Sequence, residues 1–261
     1  MLPRQEKRER EMRTIKAAAC AALLAGAAAP ALAQSEVGDM LDRFAADYME
    51  DPTFTRDWLF GVEIGGEMWT LSLDRDTASY EIRRGTPPEP VFYFTGTPEI
   101  FERIGHGEIT ALTAMGRAFE NDPVPFDIQL MDGAGFDPAI LSFAFHFWTR
   151  GFPEILNYRE LDTREIHGAN GALIYYQPGF RSGFGHVAPG QHANEDPESR
   201  SNPFPTMFIV TEGRLIARIG GEDTEMEGGQ LVIIPAGVDH EFLNPFGEPA
   251  YFFLFMFGEG A

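Results

Sequence analysis

The chain has 261 residues, of which 44% are hydrophobic, and 40 acidic against 20 basic side chains give it a formal net charge of −20. This length allows one large domain or two of about 100–150 residues, with enough apolar side chains for packed cores. The negative charge argues against nucleic acid or anionic lipid as electrostatic partners, because either would require a basic face.

Residues 1–33 have the pattern of a secretory signal peptide. A basic stretch that ends at Lys16 is followed by an uncharged run from Ala17 to Ala29, and small residues at Ala31 and Ala33 mark a cleavage site after Ala33. The apolar run is too short to cross about 30 Å of hydrocarbon as a helix, so we expect no stable membrane anchor. The predicted location is periplasmic or secreted.

Cleavage after Ala33 would remove Cys20, the only cysteine of the sequence, and with it all thiol and disulfide chemistry. The remaining chain would carry 14 Arg, no Lys and 37 acidic residues. Lipidation of Cys20 is a less favoured alternative, because little apolar sequence precedes it. Met12 is an alternative start of the chain, since a compact basic segment follows it directly.

Residues 34–150 show the pattern of an α+β domain. Apolar positions at helical spacing predict a helix from Ser35 to about Asp51. Alternating apolar residues separated by turns predict strands at 58–64, 68–73, 78–82 and 91–94. Thr97 as N-cap, followed by Pro98, predicts a helix that runs through Ile104. A second short helix is predicted at 109–115.

Within this half, residues 36–130 resemble the sterol carrier protein-like lipid-binding domains. The similarity rests on a strand that contains Trp69, a strand that ends at Tyr93-Phe94-Thr95, a helix that closes on Gly107, and the run Ala114–Arg117. The resemblance implies a small α+β domain that encloses an apolar tunnel for a lipid tail.

Residues 137–148 predict a helix that is apolar on nearly all sides. Such a helix is either a core element between two domains or a wall that faces a hydrophobic ligand. His146 lies in this run without a carboxylate nearby in sequence, so we expect a core histidine bonded to the backbone rather than a catalytic one. Residues 151–159 follow as a predicted linker.

The remaining residues, 160–261, have short apolar runs between Gly and Pro turns, which is the pattern of an all-β domain. Gly229, Pro235, Gly237, His240 and Asn244 have the spacing of the second cupin motif. This segment therefore resembles the cupin superfamily, which implies a jelly-roll barrel. The run 207–215 resembles the end of the first cupin motif, with Gly213 as its glycine, and 187–194 resembles its beginning.

The resemblance implies a metal site, but this sequence departs from the usual ligand set. His192 and His240 stand at ligand positions, whereas Asn194 and Thr206 replace a histidine and a glutamate. An insertion at 195–205 brings Glu195, which would complete a set of two histidines and one carboxylate. The predicted metal ligands are His192, His240 and Glu195, with one divalent ion (Fe, Mn, Zn or Ni) as cofactor. His186 is an alternative ligand if the strand register differs.

Two functions remain open from the sequence. The first is an exported two-domain protein that binds a small molecule or lipid and carries a degenerate metal site. The second is a mononuclear metal-dependent cupin enzyme, an oxygenase, isomerase or lyase. Resemblance to cupins alone does not decide between them, because fold does not determine function. The incomplete metal set, the strongly apolar helix at 138–148 and the absence of a second catalytic motif narrowly favour binding. No glycine-rich phosphate loop follows a strand, so no nucleotide cofactor is expected. The apolar strand 251–257 also suggests a homodimer through the cupin sheet.

Overall fold

The computed structural model describes residues 34–119, 121–149 and 155–261. The predicted signal peptide with its cleavage site, and part of the predicted linker, lie outside these residues. Residues 34–261 form one compact unit. The predicted division into domains at 34–150 and 160–261 stays a prediction. In the described part of the chain, no helix is long and apolar enough to cross a membrane.

Before residue 150, helices alternate with the strands of one sheet, as the sequence predicts. The elements in chain order are α1 (Gln34–Met49), β1 (Trp58–Ile64), β2 (Glu67–Asp74), β3 (Ser79–Arg84), β4 (Phe92–Gly96), α2 (Pro98–Gly105), α3 (Ala111–Met115), β5 (Phe126–Leu130) and α4 (Ala139–Phe147). Only β5 was not predicted. The Thr97 hydroxyl caps α2 by accepting a hydrogen bond from the Ile100 amide at 3.3 Å, as its position before a proline indicates.

The first sheet has the strand order β3-β2-β1-β4-β5. β1 and β4 run parallel, and the other neighbours are antiparallel. The parallel pair is joined by a connection that includes β2 and β3, whose two hairpins need only short turns. The apolar face of this sheet is covered by α1 and α4.

The core of this half is built mainly from aromatic side chains. Phe143 of α4 stacks on Trp58 with ring centroids 4.2 Å apart, and it meets Phe60 edge to face at 4.9 Å. Phe147, one turn further along α4, is fully buried. The prediction of a core helix is therefore confirmed, although Leu141 on another face of α4 lines a cavity that is described below.

The buried His146 does not bond to the backbone, so that prediction was wrong. Its Nδ1–H donates to Oδ2 of Asp51 at 3.1 Å, and both side chains are less than a tenth exposed. Asp51 also accepts hydrogen bonds from the amide and the hydroxyl of Thr53, each at 2.7 Å. The partner of His146 lies 95 residues earlier in the chain, which is why sequence proximity could not reveal it.

After residue 155 the regular elements are all strands, apart from one short 3₁₀ turn. The elements are β6 (Arg164–Ile166), β7 (Ala169–Gln177), β8 (Phe180–Val187), β9 (His192–Ala193), a 3₁₀ turn (Pro197–Ser199), β10 (Thr206–Glu212), β11 (Arg214–Ile219), β12 (Glu222–Glu227), β13 (Leu231–Ile234), β14 (His240–Leu243) and β15 (Ala250–Phe257).

These strands form two facing sheets rather than the closed barrel that the sequence predicts. One sheet has the order β13-β10-β15-β8-β7-β6 and the other the order β12-β11-β14-β9. Their inner faces meet in a common core, where Phe208 stacks on Phe242 with ring centroids 3.8 Å apart. The all-β character is confirmed, but the sheets remain separate, so the arrangement is an open sandwich.

Two of the predicted motif residues have structural roles in this sandwich. Gly213 adopts a φ of +73°, and a Cβ at this position would lie 2.3 Å from the carbonyl oxygen of Pro249, so only glycine allows this turn. The buried Asn244 donates through Nδ2 to the carbonyls of Val187 and Glu248, at 2.7 and 2.8 Å. This asparagine therefore holds two loops together and does not face a ligand.

Hydrogen bonds join helix α3 to the sandwich. The Thr110 hydroxyl donates to the carbonyl of Leu173 at 2.7 Å, and the Leu173 amide donates to the hydroxyl of Thr113 at 2.8 Å. The guanidinium of Arg164 bonds the carbonyl oxygens at the end of α3, among them that of Ala114 at 3.0 Å. These bonds satisfy groups that the helix end leaves open, and they seat the helix against β7.

Candidate functional site

A cavity of about 460 Å³ lies between the two sheets of the sandwich and reaches helices α3 and α4. Its volume is within the range of small-molecule sites, and its walls are mainly apolar. The apolar walls come from both halves of the chain and include Leu112, Leu141, Leu173, Phe208, Phe252 and Leu254. The N-terminal elements thus complete a site that the sandwich alone would leave open.

Side chains along β15 point alternately to the two faces of the sheet, and this alternation determines which of them enter the cavity. Phe252, Leu254 and Met256 line it, whereas Phe253 and Phe255 lie on the opposite face. On the neighbouring β8, Gly183 pairs with Leu254 and Arg181 pairs with Met256. Arg181 therefore points to the cavity side. The glycine-rich residues 183–186 are part of β8.

His240 begins β14 and is the buried histidine of the inner face. Its Nδ1–H donates to the carbonyl of Val238 at 3.0 Å, so the neutral ring has its acceptor lone pair on Nε2. Burial, which outweighs the effect of this hydrogen bond, lowers the pKa of His240 below its usual value. The ring is consequently neutral at pH 7, and its Nε2 can accept a hydrogen bond from a bound molecule.

A second histidine lines the cavity from a strained turn. His167 has a φ of +53° in the hairpin between β6 and β7, and its Nδ1 is buried without a hydrogen-bond partner. Asn194, with a φ of +59°, donates its amide hydrogen to the His167 carbonyl at 2.7 Å and also lines the cavity. Left-handed backbone at residues other than glycine is costly and is concentrated at functional sites. Burial lowers the pKa of His167.

The predicted insertion at 195–205, hereafter the cover segment, lies over one end of the cavity. The His240 amide donates to the carbonyl of Arg200, and the Gly237 amide donates to that of Asn202, each at 2.8 Å. Ser199 and Phe204 of the same segment line the cavity. The cover segment is thus attached to both sides of the turn that presents His240.

The predicted metal ligands are not brought together. His192 pairs with Leu243 across β9 and β14, so its side chain lies on the same face as Glu241, whereas His240 lies on the opposite face. His192 Nε2 is 2.7 Å from Oε2 of Glu241. Glu195 does approach His192, with its Oε1 at 3.6 Å from Nδ1, but it is mostly exposed. The set of His192, His240 and Glu195 is therefore not assembled.

No other described residue around the site completes the set of metal ligands. The buried Thr206 has no carboxylate to contribute. The alternative ligand His186 pairs with Tyr251, and their rings are 5.5 Å apart on the outer face of the larger sheet. Among the described residues, no group of three His, Cys, Asp or Glu side chains is placed to hold a metal ion. The residues present thus do not fit the metal that the cupin resemblance implies.

Comparison with known proteins supports the cupin superfamily for part of the chain. Residues 183–257 match the family described as Cupin domain. This segment starts within β8 and contains all three runs that carried the sequence resemblance. The search of curated proteins found no match. Nothing in these comparisons supports the resemblance of residues 36–130 to sterol carrier proteins, which stays a prediction.

Several solved structures are similar to about two fifths of this chain. They include a Cupin 2 conserved barrel domain protein from Salinispora arenicola (19% identity, TM-score 0.34, 40% of this chain and 87% of that one). A predicted oxalate decarboxylase from Thermotoga maritima gives 11% identity and a TM-score of 0.36, over 40% of this chain and 98% of that one. The polyketide cyclase RemF from Streptomyces resistomycificus gives 17% identity and a TM-score of 0.35, over 40% of this chain and 78% of that one. None of these likenesses informs the ligand of this chain.

His167 and Arg181 were not predicted from the sequence as site residues. A signal for His167 was present, because His167-Gly168 separates β6 from β7 as a two-residue hairpin loop, and such loops require positive φ. Arg181 had no comparable signal. Its position on the cavity side follows from the register of β8 against β15, which cannot be read from a single sequence.

Proposed function

We propose that this protein binds a small, largely apolar organic molecule in the cavity between its two sheets. The observation that carries the proposal is the cavity itself, which combines apolar walls with a few polar groups that lack protein partners. This combination is typical of ligand sites, where apolar walls give affinity and a few polar groups fix the orientation. A soluble binding role agrees with the function that the sequence narrowly favours.

Two histidines supply polar groups to the cavity wall. His240 offers an acceptor nitrogen in a neutral ring, and His167 adds a buried ring nitrogen without a partner. A ligand that donates a hydrogen bond to either nitrogen would satisfy a group that otherwise stays unpaired, which stabilises the complex. The metal-dependent alternative is not favoured, because His192 faces away from His240.

Filling the cavity should weaken ligand binding. We expect Leu254→Trp, on the cavity side of β15, to lower the affinity for a co-purifying or added apolar ligand at least about tenfold, since a larger ring occupies the ligand's volume. Phe255→Trp, one residue further on the opposite face, is the matched control and should bind as the wild type does. Isothermal titration calorimetry measures both.

Leu141→Trp tests the same cavity from the wall formed by α4, and thermal unfolding without ligand verifies that each variant is folded. Two independent walls guard against a local packing defect in one variant. If both folded cavity variants bind as tightly as Phe255→Trp, the cavity is not the binding site and the proposal is wrong.

We also propose that a second copy of this chain pairs along the β13 edge of the six-stranded sheet and covers the apolar side chains beside that edge. Leu231 and Ile233 of the edge strand β13 are 56% and 59% exposed, and β13 has a neighbour on one side only. An exposed apolar edge strand is a template for pairing with another chain, and the usual closed solution is a two-fold dimer. The apolar side chains of β15 continue this face.

The double variant Leu231→Asp, Ile233→Asp should therefore be monomeric, while the wild type has the mass of two chains. Charged side chains on the edge strand would oppose pairing with a second copy. Light scattering coupled to size exclusion measures both masses. A monomeric wild type at concentrations of tens of micromolar would remove the dimer and leave the ligand proposal untouched.

A further inference from the structure

We infer that the ligand of the cavity carries an anionic head group, a carboxylate or a phosphate ester, that binds the guanidinium of Arg181. The inference rests on the proposed function, and it adds the chemical class of the ligand. Its basis is a cation in the cavity wall that two aromatic rings hold in position and that no carboxylate of the described residues neutralises.

Two aromatic rings hold Arg181 in place. Its guanidinium carbon lies 5.4 Å from the ring centroid of Tyr176 on β7 and 5.2 Å from that of Phe204 in the cover segment. Such cation–π contacts fix the plane of the group. All three residues line the cavity. The guanidinium is therefore an oriented part of the wall rather than a mobile surface side chain.

Hydrogen bonding leaves most of the Arg181 guanidinium unused. Nη2 donates to the carbonyl of Gly260 at 3.1 Å, whereas Nε is buried and has no hydrogen-bond partner. Guanidinium has five N–H donors in a fork that suits carboxylate and phosphate oxygens. An anion in the cavity could take the unpaired Nε–H together with a neighbouring Nη–H.

The charge of Arg181 is also uncompensated. No carboxylate of the described residues forms an ion pair with it, in contrast to Arg103, Arg159 and Arg218, which all pair with acidic side chains. Burial lowers the pKa of Arg181, yet an arginine remains protonated at any physiological pH. A partly buried cation without a counter-ion is costly, and a bound anion would offset that cost.

The other charged groups on the cavity wall do not compete for this role. Arg117 forms an ion pair with Asp127. Glu198 is exposed at the cover segment, where it stays solvated. Since the chain as a whole is strongly acidic, its general field repels anions. An anionic ligand would therefore depend on a local cation, and Arg181 is placed to supply it.

The test uses three decyl compounds that share one apolar body, namely decanoate, decyl phosphate and 1-decanol. Calorimetric titration at pH 7.5 keeps both acids ionised. We expect wild-type protein to bind at least one of the two anions at least tenfold more tightly than the alcohol. The anion that binds more tightly identifies the head group that the site prefers.

The variant Arg181→Met removes the charge and keeps the length of the side chain. It should lower the affinity for the preferred anion about 10- to 100-fold, the range for a hydrogen bond to a charged group. The affinity for 1-decanol should stay unchanged. Arg214→Met is the control, because Arg214 also lies over an aromatic ring, Phe246 at 4.0 Å, but outside the cavity. Arg181→Lys, which restores the charge without the planar fork, should recover part of the affinity.

The outcomes separate the inference from the proposed function. Equal binding of all three probes, with no change in Arg181→Met, would overturn the anionic head group and leave the apolar cavity as the binding site. If no decyl probe binds to wild-type protein, the proposed function is overturned together with the inference. Thermal unfolding of Arg181→Met confirms that a loss of binding does not reflect a loss of fold.

Discussion

Replacing Phe143 by alanine should lower the free energy of unfolding by about 3–5 kcal/mol, the range for a buried phenylalanine truncated to alanine. Phe143 is 2% exposed and lies at the centre of the aromatic core, where its ring contacts those of Trp58 and Phe60. Because Trp58 and Phe60 are fixed on β1 by its pairing with β2 and β4, they cannot move inward to fill the space. Urea unfolding followed by circular dichroism measures the loss.

Phe136→Ala provides the matched comparison, since Phe136 is 54% exposed and lies just before the same helix. Surface substitutions of this kind usually change stability by less than about 0.5 kcal/mol. A similar loss in both variants would mean that Phe143 is not the core residue described above. Retained stability in Phe143→Ala would point to the same conclusion.

Asp51→Asn should destabilise the fold by about 2–4 kcal/mol at neutral pH, because it weakens a buried pair and leaves His146 without its anionic partner. Burial alone would raise the pKa of the Asp51 carboxyl. The hydrogen bonds from His146 and Thr53 together outweigh that effect and lower the pKa below its usual value. The folded protein thus stabilises the ionised form of the Asp51 carboxyl more than the unfolded chain does.

The sign of the pH dependence follows from this lowered pKa. The contribution of Asp51 is present above the pKa of the unfolded chain, about 3.9, and is lost as the pH falls through the lower pKa of the folded state. Wild-type stability should therefore fall towards that of Asp51→Asn in acid, and the gap should be largest near neutrality. Unfolding midpoints measured between pH 7 and pH 3 record it.

Asp132→Asn is the control for this series, because Asp132 is exposed and its replacement should change the stability by less than about 0.5 kcal/mol. A constant difference between wild type and Asp51→Asn across the whole pH range would contradict the role of the ionised carboxylate. The His146–Asp51 pair would then contribute through packing alone.

Local patterns in the sequence were sufficient to predict most elements. The alternation in β1 to β4, the cap formed by Thr97 and the spacing of the second motif all depend on neighbouring residues, and the structure contains each of them. The apolar helix α4 was also predicted as a core element, because a helix without a polar face must be buried. These features need no knowledge of distant contacts.

The predicted site depended on relations that neighbouring residues do not determine. Successive side chains of a strand point to opposite faces, so a shift of one residue moves a side chain from the cavity to the outside. The two-residue strand β9 places Ala193 inside and His192 outside, and no pattern in so short a strand indicates which. A histidine at a ligand position in the motif is therefore not sufficient evidence for a metal ligand.

By itself, the sequence determined the α+β and all-β character of the two halves, because helix and strand periods are local properties of the chain. Only the tertiary structure decided which side chains share a space. The register between strands put Arg181 and His240 on the cavity side and His192 on the other, and long-range contact joined His146 to Asp51. These are consequences of pairing between distant segments, where the free energy depends on the whole fold rather than on adjacent residues.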